Sequence, residues 1–209
     1  MSLVDLSLKG FADDVASSSP APGGGSVAAY AGSQGYALIA MVCRLTVGRE
    51  KYRAVEEELT SLMLKAEAKK ESLLDLVEED TQGFFGVMEA FGLPKGTEEQ
   101  KTARREALEA ATIQAAEIPL KTARLCLEGL REIPNLLEKG NPNALSDMGV
   151  AALMLGSGLE GALYNIQINA QGLKTQAIAQ QLRATATHLR EEGNNLTDRI
   201  REWVLKGLN

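Results

Sequence analysis

The chain has 209 residues, a formal net charge of −6, one histidine, two cysteines and only 4% aromatic residues. The acidic balance argues against non-specific nucleic-acid binding, which needs a basic face for phosphates. A single His and two isolated Cys argue against a zinc site, a Cys/His nucleophile pair or a disulfide framework.

Abundant Ala, Leu, Glu and Lys are the composition of helices, and the length suits one domain, 1–209, with a sizeable core. No charged-then-apolar leader opens the chain, which predicts a cytoplasmic protein with buried, reduced thiols at Cys43 and Cys126.

A short amphipathic helix is expected over 6–15, followed by a loop over 17–25. That loop ends in Pro20-Ala21-Pro22-Gly23-Gly24-Gly25-Ser26. The prolines hold the backbone extended, and the glycines let another group approach the main chain. Ser26 reads as the N-cap of a helix from Val27 to Thr46. The free N–H groups at such a helix start suit an anion or polar ligand, or the glycines simply allow close helix packing. The run 27–42 is apolar enough to raise the question of a membrane, but it is short of a span and its Ala and Gly content fits a buried helix.

A long helix is expected over 53–91, stopped by Gly92-Leu93-Pro94. Its apolar stripe runs Leu73, Val77, Phe84, Met88, Phe91, and the spacing puts Asp80 in the same stripe. A carboxylate on that face is costly unless paired. It is a candidate general acid or base, or else a structural Asp bridging to another helix. Glu78 and Glu79 fall off the stripe and read as solvated. The next helix is expected to reach Leu130, kinked at Pro119, with Pro134 as a further break or the first turn of a short helix.

After the turn Gly140-Asn141-Pro142-Asn143, a helix over 145–169 carries Asp147, Ala151, Met154, Gly158, Gly161, Asn165 and Asn169 near one face. Asn165 and Asn169 are one turn apart and act together. At 1.5 Å per residue, Asp147 lies about 27 Å from Asn165 along a straight helix. Both serve one site only if the ligand is long, the helix breaks, or two subunits contribute; otherwise the face is a helix–helix seam. The last helix, 175–208, repeats Leu182, Leu189, Leu196 and Trp203 at seven-residue spacing, with His188 on the surface. No period-two strand and no linker appear. The expected architecture is an all-α, single-domain bundle of mostly antiparallel long helices.

Four blocks are distinctive together: Pro20 to Ser26; Leu45-Thr-Val-Gly-Arg-Glu-Lys-Tyr52; Asp80 to Lys95; and Gly140-Asn-Pro-Asn-Ala-Leu-Ser-Asp147. With Gly149-Val-Ala-Ala152, Asn165 and Asn169, they resemble the formiminotetrahydrofolate cyclodeaminase and methenyltetrahydrofolate cyclohydrolase family, in order over almost the whole chain. The resemblance implies a cytosolic homodimer of one-carbon metabolism, with folate in a cleft near the subunit interface. It implies no metal and no cofactor beyond the tetrahydrofolate substrate, and gives no role to nucleic acid or membrane. Carried over by motif, Asp80 is the acid/base and Asp147 a second catalytic carboxylate. Gly23, Gly24, Gly25 and Ser26 form a binding loop, and Asn143, Ser146, Asn165 and Asn169 orient the ligand. An anionic, polyglutamylated tail would favour Lys51, Arg49 or Lys95 in an otherwise acidic protein.

Both family reactions pass through a tetrahedral carbon between N5 and N10 of the folate, where one poised carboxylate and hydrogen bonds to the nitrogens suffice. The cyclohydrolase is placed ahead of the cyclodeaminase, which needs a separate transferase to supply its substrate. A non-catalytic helical module is the contrasting expectation from a different class.

Overall fold

The small residues of helix α2 (Gly24–Thr46) set how closely its neighbours approach in this computed structural model, which describes residues 2–209. A Cβ on Gly35 would press into the Leu155 side chain, and one on Gly158 would lie 2.8 Å from the Ala28 carbonyl oxygen. Only glycine permits that approach.

Around α2 run α3 (Glu56–Gly92), α4 (Glu98–Lys139) and α5 (Leu145–Gly172). Helix α2 packs on α3 and α5, α4 packs on the same two, and α6 (Gln176–Leu208) lies over α4 and α5. Cross-helix pairs fix the directions. Ser26 meets Val77 while Arg44 meets Glu67, and Gly24 meets Asn165 while Thr46 meets Asn141. Glu79 meets Lys121 while Glu58 meets Lys139, Glu109 meets Lys174 while Gly129 meets Leu155, and Ala170 meets Arg183 while Gly149 meets Val204. Each helix from α3 to α6 is therefore antiparallel to the one before it. The expected helical bundle is what the chain forms, with no strand among the described residues. Leu59, Leu73, Leu130, Leu163 and Ile166 are fully buried at its centre. Truncating any such Leu or Ile to Ala costs about 2–5 kcal/mol.

Helix α2 has the length and composition of a membrane span, yet most of it is covered by the bundle. It reads as the core helix of this fold. The short α1 (Leu8–Val15) is capped by the Ser7 hydroxyl, which accepts from Gly10 N–H, and it sets Phe11 against Tyr30. The turn 95–97 ends in a capping box, Thr97 with Gln100, that starts α4.

Several local expectations are corrected. Helix α2 starts at Gly24 with Gly23 as its N-cap, so Ser26 lies inside the helix and its hydroxyl is spent on α3. Residues 50–55 form a 3-10 segment ahead of α3. Helix α4 runs past Leu130 to Lys139, so Pro134 lies within it and is neither a break nor the first turn of a new helix; packing on α2, α3, α5 and α6 offsets its lost N–H bond. Glu78 is not merely solvated: its carboxylate accepts from the Ser2 hydroxyl and the Val4 N–H. Trp203 is exposed, and Ile200 and Val204 take the buried positions on α6. The α3 stripe is core only at Leu73 and Val77. Phe84 is half-buried, and Met88 and Phe91 are exposed, because α2 begins level with Asp80 and does not reach over the stripe beyond it; Arg104 of α4 lies over the Phe91 ring.

Candidate active site

The start of α2 sits between α3 and α5, and three of the expected site elements converge there. Asp80 of α3 faces Gly25 so closely that any side chain on Gly25 would overlap its carboxylate. The Ser26 hydroxyl lies 3.1 Å from Asp80 Oδ2, 3.0 Å from the Val77 carbonyl oxygen and 3.3 Å from Thr81 Oγ1. On the opposite side, the Asn165 side-chain amide lies against Gly24 and donates to the Gly161 carbonyl oxygen at 2.9 Å. Asn169 follows one turn later, half-buried.

Asp80 is half-buried. Burial raises its carboxyl above the ordinary value of 3.8, and hydrogen bonds from the Ser26 hydroxyl and N–H partly offset the rise. No charged side chain contributes to that shift. This is the environment that brings a carboxyl towards the range where it both takes and gives protons. The first N–H groups of α2 have no acceptor within the helix, since the first such bond is Val27 N–H to Gly23 O at 3.1 Å. A carboxyl, helix-start donors and a carboxamide thus share one notch. Phe84, on the helical face of Asp80, extends it.

The remaining expected residues lie elsewhere. Asn143, Ser146 and Asp147 stand at the other end of α5, and Lys51 is exposed on the 3-10 segment after α2. Helix α5 is unbroken over Leu145–Gly172, which removes a helix break as the way to unite Asp147 with Asn165. Ser146 lines a separate cavity of about 220 Å³ with Val150, Leu153 and Val204, and does not join Asp80 within the subunit. The Asn143 side chain is exposed, while its N–H donates to Asn141 Oδ1.

The sequence reading missed Asn141 and Thr81. Asn141 is buried and fastens this turn, its N–H donating to Thr46 Oγ1 and its amide to the Leu45 carbonyl. Thr81 follows Asp80 directly, and that adjacency was the available signal. The two thiols are buried and pushed up, Cys43 to about 11 and Cys126 to about 12, so both stay protonated and unreactive. His188 is exposed, as expected. No cluster of three or more His, Cys, Asp or Glu able to hold a metal occurs among the described residues.

The fold and this notch define an all-helical protein with a desolvated carboxyl at a glycine-rich helix start. Comparison with known proteins gives the family. Residues 7–188 match the formiminotransferase-cyclodeaminase family, and the chain belongs to it. It is 40% identical to a methenyltetrahydrofolate cyclohydrolase of Methylorubrum extorquens, over 95% of this chain and 96% of that one. A formimidoyltransferase-cyclodeaminase of Mus musculus is 35% identical over 91% of this chain, but the match spans only 35% of the mouse protein. The crystal structure of formiminotetrahydrofolate cyclodeaminase from Thermotoga maritima superposes with a TM-score of 0.89 at 26% identity, covering 99% of this chain and 100% of that one.

Proposed function

We propose that this protein is a methenyltetrahydrofolate cyclohydrolase, converting 5,10-methenyltetrahydrofolate and water to 10-formyltetrahydrofolate. The 40% identity to a cyclohydrolase along nearly the whole of both chains carries the choice between the family's two reactions. The Asp80 notch supplies the chemistry. Water adds to the methenyl carbon and loses one proton to Asp80, giving a neutral tetrahedral adduct. Asp80 returns that proton to N5 as the C–N5 bond breaks, and the hydroxyl proton leaves to solvent as the formyl C=O forms. One proton is released overall, as the loss of the cationic methenyl group requires. Asn165 and the helix-start N–H groups hold the polar edge of the substrate.

The site is completed by a second copy in this reading. Val150, Leu153, Tyr164 and Ile168 are exposed along α5 at helical spacing, an apolar stripe that nothing in one subunit covers. A two-fold pairing of antiparallel α5 helices about the stripe's midpoint, near Leu159, covers the stripe with itself. The same operation brings the Asp147 end of α5 alongside the end of the partner's α5 that carries the notch, which gives Asp147, Asn143 and Ser146 a route to it. Arg49 and Lys51, exposed after α2, are the cations this reading assigns to an anionic, polyglutamylated tail. The protein is read as cytoplasmic, working without a metal or cofactor.

The test is absorbance of the methenyl chromophore. Enzyme-dependent loss of the band supports the cyclohydrolase. Its appearance from 5-formiminotetrahydrofolate with ammonia release, and no loss from the methenyl compound, replaces that reading with the cyclodeaminase. Tight folate binding with no turnover of either leaves a non-catalytic module.

A further inference from the structure

The Ser26 hydroxyl has one proton and three oxygen neighbours: Val77 O, Asp80 Oδ2 and Thr81 Oγ1. It can donate to only one of them at a time. Ser26 is completely buried, so solvent water does not relieve the competition. Two arrangements satisfy the oxygens, and in both the Thr81 hydroxyl can donate to Ser26 Oγ. With Asp80 ionised, Ser26 donates to Oδ2, and the Val77 carbonyl keeps its bond within α3. With Asp80 protonated, the carboxyl O–H donates to Ser26 Oγ, and the serine turns its own proton to the Val77 carbonyl. Donor and acceptor exchange roles with little movement of the heavy atoms.

We propose that Ser26 is a positioning residue, a two-way hydroxyl that keeps Asp80 hydrogen-bonded in both protonation states so that one carboxyl takes a proton from water and delivers it to N5. This rests on the folate reading above and deepens it. Without the hydroxyl, a protonated carboxyl would keep only the Ser26 N–H as a partner and would have no acceptor for its own O–H in the ligand-free site. The surroundings leave the task to Ser26. Helix α2 presents Gly25 and Ser26, without charge, and α5 presents the neutral Asn165. On α3, Glu78 is held by Ser2 and Val4, and Glu79 pairs with Lys121 of α4 at 3.3 Å. Burial opposes ionisation of Asp80, and the charge-assisted bond from Ser26 favours it.

The experiment follows the Asp80 carboxyl carbon by NMR in the ligand-free protein, assigned by its disappearance in Asp80→Asn, beside kcat–pH profiles. Ser26→Ala is expected to raise the Asp80 midpoint by about one pH unit and to move the acidic limb of kcat the same way. It should lower kcat about tenfold while KM stays within about twofold. Ser26→Cys, a weaker donor, should fall between, which guards against misfolding in either variant. An unmoved midpoint and limb in folded Ser26→Ala overturns the proposal. A raised midpoint with no folate turnover in any form keeps Ser26 as the donor to ionised Asp80 and overturns the folate reading instead.

Discussion

Gly25 and Asp80 occupy a shared space: the carboxylate fills the place where any other residue at position 25 would put its Cβ. The glycine is therefore a condition for the carboxyl being where it is. Gly25→Ala is expected to fold, at a cost of about 1–3 kcal/mol from overpacking, and to push Asp80 out of reach of Ser26. Turnover should fall at least about a hundredfold, the scale of losing a positioned acid/base. A melting curve and a kcat measurement on the same preparation check both halves.

Asp80 also carries a stability signature. Its folded-state pKa lies above the ordinary value of 3.8, so the native state binds the proton more tightly than the unfolded chain does. Ionising the group therefore costs stability once the pH rises through and beyond 3.8, and nothing is lost well below that value. Asp80→Asn, neutral at every pH, should melt higher than wild type at pH 7, with the difference closing as the pH drops below 3.8. Thermal melts across that range read it directly. Equal melting temperatures at pH 7 and pH 3 would remove desolvation as the cause.

The helices were legible because Gly and Pro clusters punctuate the chain and helical spacing fills the rest. The convergence of Gly24, Gly25, Ser26, Asp80 and Asn165 was legible too, since each is a polar or bare position in an otherwise apolar face. What a stripe packs against was not legible. Phe84, Met88 and Phe91 have core spacing, but α2 begins level with Asp80 and does not reach over them. Ser26 looked like an N-cap because a serine at the cap and one three residues inside are indistinguishable until the distant partner Val77 is known. Pro134 looked like a break because propensity is local, whereas the packing that carries α4 through it comes from the helices around it.

In the proposed mechanism Asn165 orients the substrate rather than transferring protons, so its loss should appear in binding. Asn165→Ala is expected to raise KM for the folate substrate about tenfold, the worth of one good hydrogen bond, with kcat changed less than about threefold. Steady-state kinetics separate the two constants. A kcat collapse at unchanged KM would instead put Asn165 at the reacting atoms.

The shared-site reading predicts complementation between inactive proteins. If Asp80 of one subunit works with Asp147 of the other, Asp80→Asn and Asp147→Asn are each inactive alone. Mixed and re-equilibrated, half of the dimers become hybrid, and each hybrid holds one site with both carboxylates. About one site in four is then intact, and the mixture should recover about a quarter of wild-type activity. In parallel, Leu153→Glu should give a folded monomer by light scattering, with activity lost. No recovery on mixing would contradict a site built from two subunits.

The most direct measurement is turnover of 5,10-methenyltetrahydrofolate by wild type and Asp80→Asn side by side, followed as loss of the methenyl absorbance with circular dichroism on the same samples. The predicted result is enzyme-dependent loss by wild type and a fall of about a hundredfold or more in Asp80→Asn, with the helical signal unchanged. Comparable rates from the two folded proteins, or no turnover by wild type, would contradict the assignment of Asp80 as the acid/base of a folate cyclohydrolase.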